Sequence, residues 1–204
     1  MDTMWLYYGG AAAVAVIAVY GTYLVKVEGN AWRAALTTIA QKHRLTHVMP
    51  KGAVSKKFDV VHGSDGGVDV SLVPESVSRG DSDTLYAKIE ASGGPGGLFM
   101  VPPGKLAKDS GTIDYSNPGG SAKTPTGVAD FDRDVEIRGA PEALLEELRK
   151  DPILRTSIAM LIKRGVQVRD RQVVAMSTFP RKAGIVVDRY DRVVELARKL
   201  ETYA

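Results

Sequence analysis

The stretch KFDVVHGSDGGVDVSLVP, residues 57–74, predicts the fold class of the chain. Two runs rich in β-branched residues flank the turn-forming letters SDGG, which is the pattern of a β-hairpin. In the second run, VDVSLV, apolar and polar residues alternate, so one face of that strand is apolar and the other is polar. The stretch therefore predicts antiparallel strands with one buried face.

Similar patterns predict further strands on the C-terminal side of this hairpin. They are TLYAKIEAS (84–92), GLFMVP (97–102), DFDRDVEIRG (130–139), and the pair VQV and QVVAM separated by RDR (166–176). Because the strands occur in hairpins, we expect a mainly antiparallel sheet. Residues 102–127 are rich in glycine and proline and predict a long loop within the domain.

Four segments carry apolar residues at helical spacing. The first, residues 30–45, begins at the potential N-cap Asn30 and has one apolar face. The second, residues 140–150, has Pro141 at its first turn, the third starts at Pro152, and the last covers residues 188–202. We predict that helices cover the sheet in an α+β fold. The predicted buried stripes are Trp32, Leu36, Ile39 and Ala40; Leu144, Leu145 and Leu148; Ile153, Leu154, Ile158, Leu161 and Ile162; and Val193, Val194, Leu196, Ala197 and Leu200.

The N-terminal stretch MWLYYGGAAAVAVIAVYGTYLV, residues 4–25, contains 22 residues and no charge. A helix of that length spans about 33 Å, which matches a hydrocarbon core of about 30 Å. We therefore predict a transmembrane helix over residues 4–25, preceded by an extracytoplasmic terminus of residues 1–3. Its predicted interface anchors are Trp5, Tyr7, Tyr8, Tyr20 and Tyr23.

Two alternatives for this stretch are a cleaved signal peptide and a buried helix of a soluble core. A signal peptide has a basic segment before its apolar run, whereas this chain has only Met-Asp-Thr there. A core helix is normally shorter and amphipathic, whereas this run is apolar on every side. A retained anchor is the interpretation that we adopt.

Charge asymmetry predicts the orientation of the anchor. The basic residues Lys26, Arg33, Lys42 and Arg44 follow the span, and none precedes it. The positive-inside rule then places the C-terminal part in the cytoplasm of a cell-membrane protein. We expect a juxtamembrane helix within residues 26–50 and an α+β domain over residues 51–204. Ala11 and Ala15 form a small-residue spacing that predicts self-association.

Composition limits the chemistry that the chain can use. Cysteine is absent, which excludes disulfides, thiol nucleophiles and thiolate metal sites. The formal net charge is +3 without a dense basic block, so we expect no specific binding of nucleic acid. NPGGSAKTPTG lacks the glycine spacing of a phosphate loop, and GGPGG does not join a strand to a helix. We expect no cofactor.

Two groups of polar residues are candidates for a site. His43 and His47 are four residues apart, but the predicted helix ends between them, so we interpret them as solvated or interface residues and not as metal ligands. Asp130, Asp132 and Asp134 have period 2, which on a strand gives one acidic face for a cation or for acid–base chemistry. The alternative is the wet face of an edge strand.

The segment from Thr126-Gly127 through Asp130-Phe131-Asp132 to Ile137, followed by Leu144-Leu145, resembles uncharacterised bacterial membrane-anchored proteins. Their pattern is T-G-x-x-x-F-D-x-x-F/V-x-V on a strand before a helix, and the resemblance covers about residues 126–175. It implies a single-pass anchor and a cytoplasmic α+β domain, but it implies no catalytic residue.

These features lead to two hypotheses on function. The first is a membrane-anchored binding, scaffold or accessory-subunit protein that associates with the bilayer and with another membrane protein or complex. The second is a membrane-tethered enzyme that uses the acidic residues 130–134 and the loop 102–127. We prefer the first hypothesis, because no assembled catalytic pattern is present in the sequence.

Overall fold

The computed structural model describes residues 27, 29–49, 59–79, 82–103, 122–178 and 182–204. The first helix, α1, covers residues 29–43. The later helices are α2 (Ala129–Asp134), α3 (Glu142–Lys150), α4 (Pro152–Lys163) and α5 (Ala183–Glu201). The strands are β1 (Thr46–Val48), β2 (Val60–Asp65), β3 (Val68–Arg79), β4 (Ser82–Ser92), β5 (Phe99–Val101), β6 (Glu136–Arg138), β7 (Val166–Arg169) and β8 (Gln172–Thr178).

The eight strands form one antiparallel sheet with the order β1-β2-β3-β4-β8-β7-β5-β6. The predicted α+β class and the antiparallel sheet are thus confirmed. Strand β4 pairs with β8. The paired residues Ser92 and Gln172 are 80 positions apart in the chain. The C-terminal hairpin is therefore inserted between two strands of the first half.

Both predicted hairpins are present, and both have two-residue turns with positive φ. Gly66 and Gly67, with φ of 59° and 88°, join β2 to β3. Asp170 and Arg171, with φ of 33° and 65°, join β7 to β8. Two positive φ values give a type I′ turn, whose twist matches that of the flanking strands.

The helices cover one face of the sheet. A row of paired residues on that face crosses the centre of the sheet and is fully buried: Val61, Leu72, Ile89, Ala175 and Val166. These residues share one apolar core with side chains from all five helices. On the opposite face Ser71, Lys88 and Glu90 are half-buried. The alternation of apolar and polar residues along β3 follows from this two-layer arrangement.

Helix α1 and strand β1 belong to the same core and the same sheet as the rest of the domain. The predicted face of Trp32, Leu36, Ile39 and Ala40 is buried in that core. The helix ends at residue 43, two residues before the predicted end, because Arg44 adopts φ of 58°. The N–H of Leu45 then donates to the carbonyl of Ala40, and the chain enters β1.

The prediction of a strand over DFDRDVEIRG is wrong for its first half. Residues Ala129–Asp134 form helix α2, and only Glu136–Arg138 form a strand. The Asp132 carboxylate accepts hydrogen bonds from the N–H groups of Thr126 and Gly127, at 2.9 and 3.0 Å, and holds the chain before the helix. An alternation of five residues is too short to exclude a single helical turn.

The other helices agree with the predictions except at their ends. Leu144, Leu145 and Leu148 are buried on α3, although Pro141 precedes the helix as its N-cap residue. Pro152 begins α4 behind the N-cap Asp151, but Ile153 is 77% exposed and does not join the buried stripe. Helix α5 begins at Ala183, five residues before the predicted start, and adds Val186 and Tyr190 to the core.

Among the residues that the structure describes, no helix combines the length and the apolar character that a membrane span requires. The predicted span, residues 4–25, lies outside the described residues, together with its aromatic anchors and with Ala11 and Ala15. Most of the predicted loop 102–127 also lies outside them.

The last turn of the chain contacts α3 through a hydrogen bond that perturbs two groups. The Tyr203 hydroxyl donates to Glu147, whose second carboxylate oxygen lies 3.2 Å from Lys199 Nζ. This hydrogen bond and the lysine lower the pKa of Glu147 below its ordinary value of 4.5. Burial and the Glu147 carboxylate raise the pKa of Tyr203 to about 12.

We expect the contact between α3 and the C-terminus to weaken in acid. Because folding lowers the pKa of Glu147, its contribution is complete above the unfolded pKa and is lost as the pH falls through the folded pKa. Tyr203→Phe should move the pKa of Glu147 back towards 4.5 in a ¹³C-carboxyl NMR titration. Tyr86→Phe on β4 is the matched control and should leave it unchanged. An unchanged pKa in Tyr203→Phe would contradict the assignment.

Candidate functional site

The three aspartates predicted as one acidic face do not converge. Asp132 binds the backbone before α2, and its other donor is the Thr126 hydroxyl at 2.8 Å. Asp134 lies 2.7 Å from Lys163 Nζ, and this hydrogen bond lowers the pKa of Asp134. Asp130 is exposed and pairs with Arg133 at 3.2 Å. The correction follows from the helix, on which residues two apart point about 200° from each other.

Asp130 and Asp134, four residues apart, do share one side of α2. They border a shallow depression of 330 Å³ between α2 and α4, together with Lys163 and the buried Phe131. Within the described part of the chain, no three His, Asp or Glu side chains stand close enough to hold a metal ion. Lys163 already compensates the charge of Asp134, so the depression presents no free carboxylate pair.

A different set of polar residues meets at the buried carboxylate of Asp65, the last residue of β2. Its partners come from two helices: His43 at the end of α1, and Tyr190 and Arg198 on α5. We call these four residues the Asp65 cluster. Sequence alone predicted His43 as solvated or at an interface, but its side chain is only 16% exposed.

The distances in the Asp65 cluster are those of direct hydrogen bonds and ion pairs. The Tyr190 hydroxyl donates to Oδ2 at 2.8 Å, and His43 Nδ1 lies 2.8 Å from the same oxygen. Arg198 Nη2 donates to Oδ1 and also to the Asp65 carbonyl at 3.0 Å. The second ring nitrogen of His43 lies 3.2 Å from Asp191 Oδ1, and Lys42 pairs with the same Asp191 carboxylate.

The environment keeps Tyr190 protonated as a donor. Tyr190 is fully buried, and burial and the Asp65 carboxylate raise the pKa of its hydroxyl far above the ordinary value. Its ring packs edge-on against the His43 ring with centroids 4.9 Å apart. A tyrosine in this state donates a hydrogen bond and does not act as a base at neutral pH.

The turn after Asp65 is shaped to admit Arg198. Gly66 has φ of 59°, and a Cβ atom there would lie 2.7 Å from Arg198 Nη2. A side chain at position 66 would therefore displace the guanidinium from the carboxylate. The glycine has two functions, because it provides both the turn conformation and the space for the arginine.

A second buried carboxylate, Asp59, holds the other half of α1. The Trp32 indole N–H donates to the Asp59 carbonyl at 3.0 Å, and Arg33 Nε donates to its carboxylate at 2.9 Å. His47 Nε2 on β1 lies 3.3 Å from the same carboxylate. The two histidines four residues apart in sequence thus face two different aspartates. Both clusters join α1 to strand β2.

This arrangement favours a structural role for the Asp65 cluster. A buried carboxylate is costly unless it is paired, and Asp65 has donors on both oxygens. His43 Nδ1 lies against Asp65, and Nε2 is buried beside Asp191 without a hydrogen bond among the described residues, so neither nitrogen is directed at an open cleft. The cluster therefore fixes α1 and α5 against the end of β2.

Sequence reasoning missed Asp65, Asp59, Tyr190 and Arg198. One signal was available for Asp65, because it follows Val61 and Gly63 at the inward positions of β2. An aspartate at an inward position must find partners elsewhere in the chain. The identity of those partners depends on how α1 and α5 pack, which the local pattern does not contain.

Comparisons of the chain with protein-family models, with curated proteins and with solved structures find no match. The resemblance of residues 126–175 to bacterial membrane-anchored proteins therefore stays a prediction. The functional interpretation rests on the geometry and on the sequence of this chain.

We expect Asp65→Asn to lower the free energy of unfolding by about 3–5 kcal/mol, because the amide places an N–H group among donors and leaves charges unpaired. Urea denaturation of the full chain measures this. Asp69→Asn, on the exposed side of the same hairpin, is the matched control and should change the value by less than about 0.5 kcal/mol.

If Asp65→Asn does not fold, Tyr190→Phe provides the measurement, since it removes only the hydroxyl. A hydrogen bond to a charged group is worth about 1.5–3 kcal/mol. A Tyr190→Phe chain as stable as the original would contradict the structural role of the cluster.

Proposed function

We propose that this chain is a single-pass membrane protein whose cytoplasmic α+β domain acts as a binding, scaffold or accessory-subunit module. Residues 4–25 provide the anchor, with the three preceding residues outside the cytoplasm. The basic residues that follow the span favour a cytoplasmic domain.

The observation that carries this proposal is the burial of α1 in the domain core. Helix α1 begins four residues after the apolar stretch, and Trp32 and Leu36 are fully buried. Asp59 binds Arg33 in its first half, and the Asp65 cluster holds its C-terminal end. Only residues 26–28 separate the proposed anchor from a helix held in this way, so we expect the domain to keep a defined position relative to the bilayer.

A defined position is useful to a protein that presents a surface to a membrane partner. The geometry of the acidic residues does not favour the enzyme hypothesis, since Asp132 and Asp134 are engaged by the backbone and by Lys163. A second copy, through Ala11 and Ala15, or another membrane protein or complex is the proposed partner.

The proposed topology predicts the behaviour of reporters fused after Ala204. A reporter that is active only in the cytoplasm should be active, and one that is active only outside it should be silent. Adding positive charge before the span, with Asp2→Lys and Thr3→Lys, should reduce the cytoplasmic signal. The same substitution type at Asp69, far from the span in sequence, is the control. Activity of the external reporter in the unaltered chain would contradict the topology.

The proposed scaffold role predicts a stoichiometric partner. The full-length chain purified from membranes in mild detergent should retain another membrane protein, identified by mass spectrometry, or should run as a homo-oligomer. Ala11→Leu with Ala15→Leu tests the second case, because larger side chains prevent close helix contact. A monomer without a partner in mild detergent would contradict the scaffold role, while the reporters would still test the anchor.

A further inference from the structure

Three helix ends meet at one end of the helical layer. Helix α1 runs along β2, since Trp32 contacts Asp59 before the strand and His43 contacts Asp65 at its end. Helix α4 ends immediately before β7, and α5 starts shortly after β8 ends at Thr178. The register aligns the starts of β2 and β7 with the end of β8. The start of α1, the end of α4 and the start of α5 therefore lie at the same end of the helical layer.

This end of the helical layer is the one that the apolar stretch enters. Residues 4–25 are separated from residue 29 by only three residues. A transmembrane helix over that stretch places this end, which we call the anchor-side end, next to the bilayer. The opposite end carries the two hairpin turns and the C-terminus of α5.

Positive charge dominates the helices at the anchor-side end. At this end Arg33 of α1 pairs with Asp59, α4 ends in Lys163 followed by Arg164, and the first turn of α5 has no acid. Arg164 and Lys182 are exposed there. The nearby acids are already compensated, because Asp188 pairs with Arg192 and Asp134 with Lys163.

Arg189 adds a half-buried guanidinium that feels the charges of both Arg164 and Asp188. Its Nη1 atom is buried and has no hydrogen-bond partner among the described residues. Burial lowers the pKa of Arg189, and the positive charge of Arg164 lowers it further. Two neighbouring cations, Arg164 and Arg189, favour an anion at the surface beside them.

Two exposed apolar side chains stand beside these charges. Met160 is 43% exposed and lies one turn before Arg164 on α4. Ile185 is 53% exposed and lies one turn before Arg189 on α5. Basic residues with exposed apolar neighbours are typical of surfaces that lie in the headgroup region of a membrane. In contrast, α3 has three glutamates and two basic residues.

We propose that the surface formed by Met160, Arg164, Lys182, Ile185 and Arg189 binds the anionic lipid bilayer in which the chain is anchored. This inference rests on the proposed membrane anchor. Strands β3 and β4 extend past β2 and β8 at the same end, in the sheet layer.

Two labels, one at each end of α5, test the contact in separate single-cysteine variants. Labelling is specific because the chain has no cysteine of its own. Gly184→Cys places a fluorophore beside Ile185, where an added Cβ meets no atom within 4 Å. Thr202→Cys places it at the other end of the helix, about 27 Å away. The full chain is reconstituted in phosphatidylcholine vesicles with or without phosphatidylglycerol, and a nitroxide at the headgroup level is the quencher.

We expect strong quenching at position 184 in the anionic vesicles, weak quenching at position 202, and a decrease with added salt. The double variant Arg164→Glu, Lys182→Glu should lower the fraction of domains in contact with the anionic bilayer, measured by quenching at position 184, about tenfold or more. Lys123→Glu with Lys150→Glu, the same charge change at the opposite end, is the matched control and should have little effect.

Other outcomes distinguish the possible failures. Equal quenching at both labels, or quenching that is independent of phosphatidylglycerol, would contradict the proposed lipid contact of this surface but would not contradict the anchor. Loss of the contact in sodium phosphate but not in sodium chloride of equal ionic strength would overturn it in favour of a site for free phosphate. A chain that does not float with vesicles would overturn both the anchor and the inference.

Discussion

The rest of the structure depends on the buried carboxylate of Asp65. It ends β2 and receives His43 from α1 and Tyr190 and Arg198 from α5, so one charge connects both long helices to the sheet. An unpaired carboxylate in this position is costly, and the packing of α1 and α5 is therefore restricted to arrangements that bring their donors to it. Gly66 completes the site by leaving space for the guanidinium.

This constraint has a consequence for the proposed function. Helix α1 begins four residues after the apolar stretch, and Asp59 and Asp65 hold that helix in the core. An anchor joined to a rigid helix transmits its orientation to the domain, whereas an anchor on a flexible linker does not. The basic surface at the end of α4 and the start of α5 then lies on the same side as the anchor. In the proposed arrangement, membrane attachment and domain packing are therefore coupled.

The sequence predicted most of the elements and little of the candidate site. The hairpins at SDGG and RDR follow from turn residues and alternation, and the buried faces of α1, α3 and α5 follow from helical spacing. The errors have local physical causes. Asp130, Asp132 and Asp134 alternate over too few residues to separate a strand from a helical turn, and Ile153 lies at a helix start that the core does not cover.

The sequence by itself determined the α+β class, because its periodicities are set by residues close together in the chain. It also determined the uncharged length of residues 4–25, on which the predicted anchor depends. Only the tertiary structure decided that β8 pairs with β4, and that His43, Tyr190 and Arg198 share Asp65. The paired residues of β4 and β8 are 80 to 92 positions apart, and Tyr190 and Arg198 lie more than 100 positions from Asp65, so these contacts depend on how whole elements pack. Local propensity contains no information on that packing.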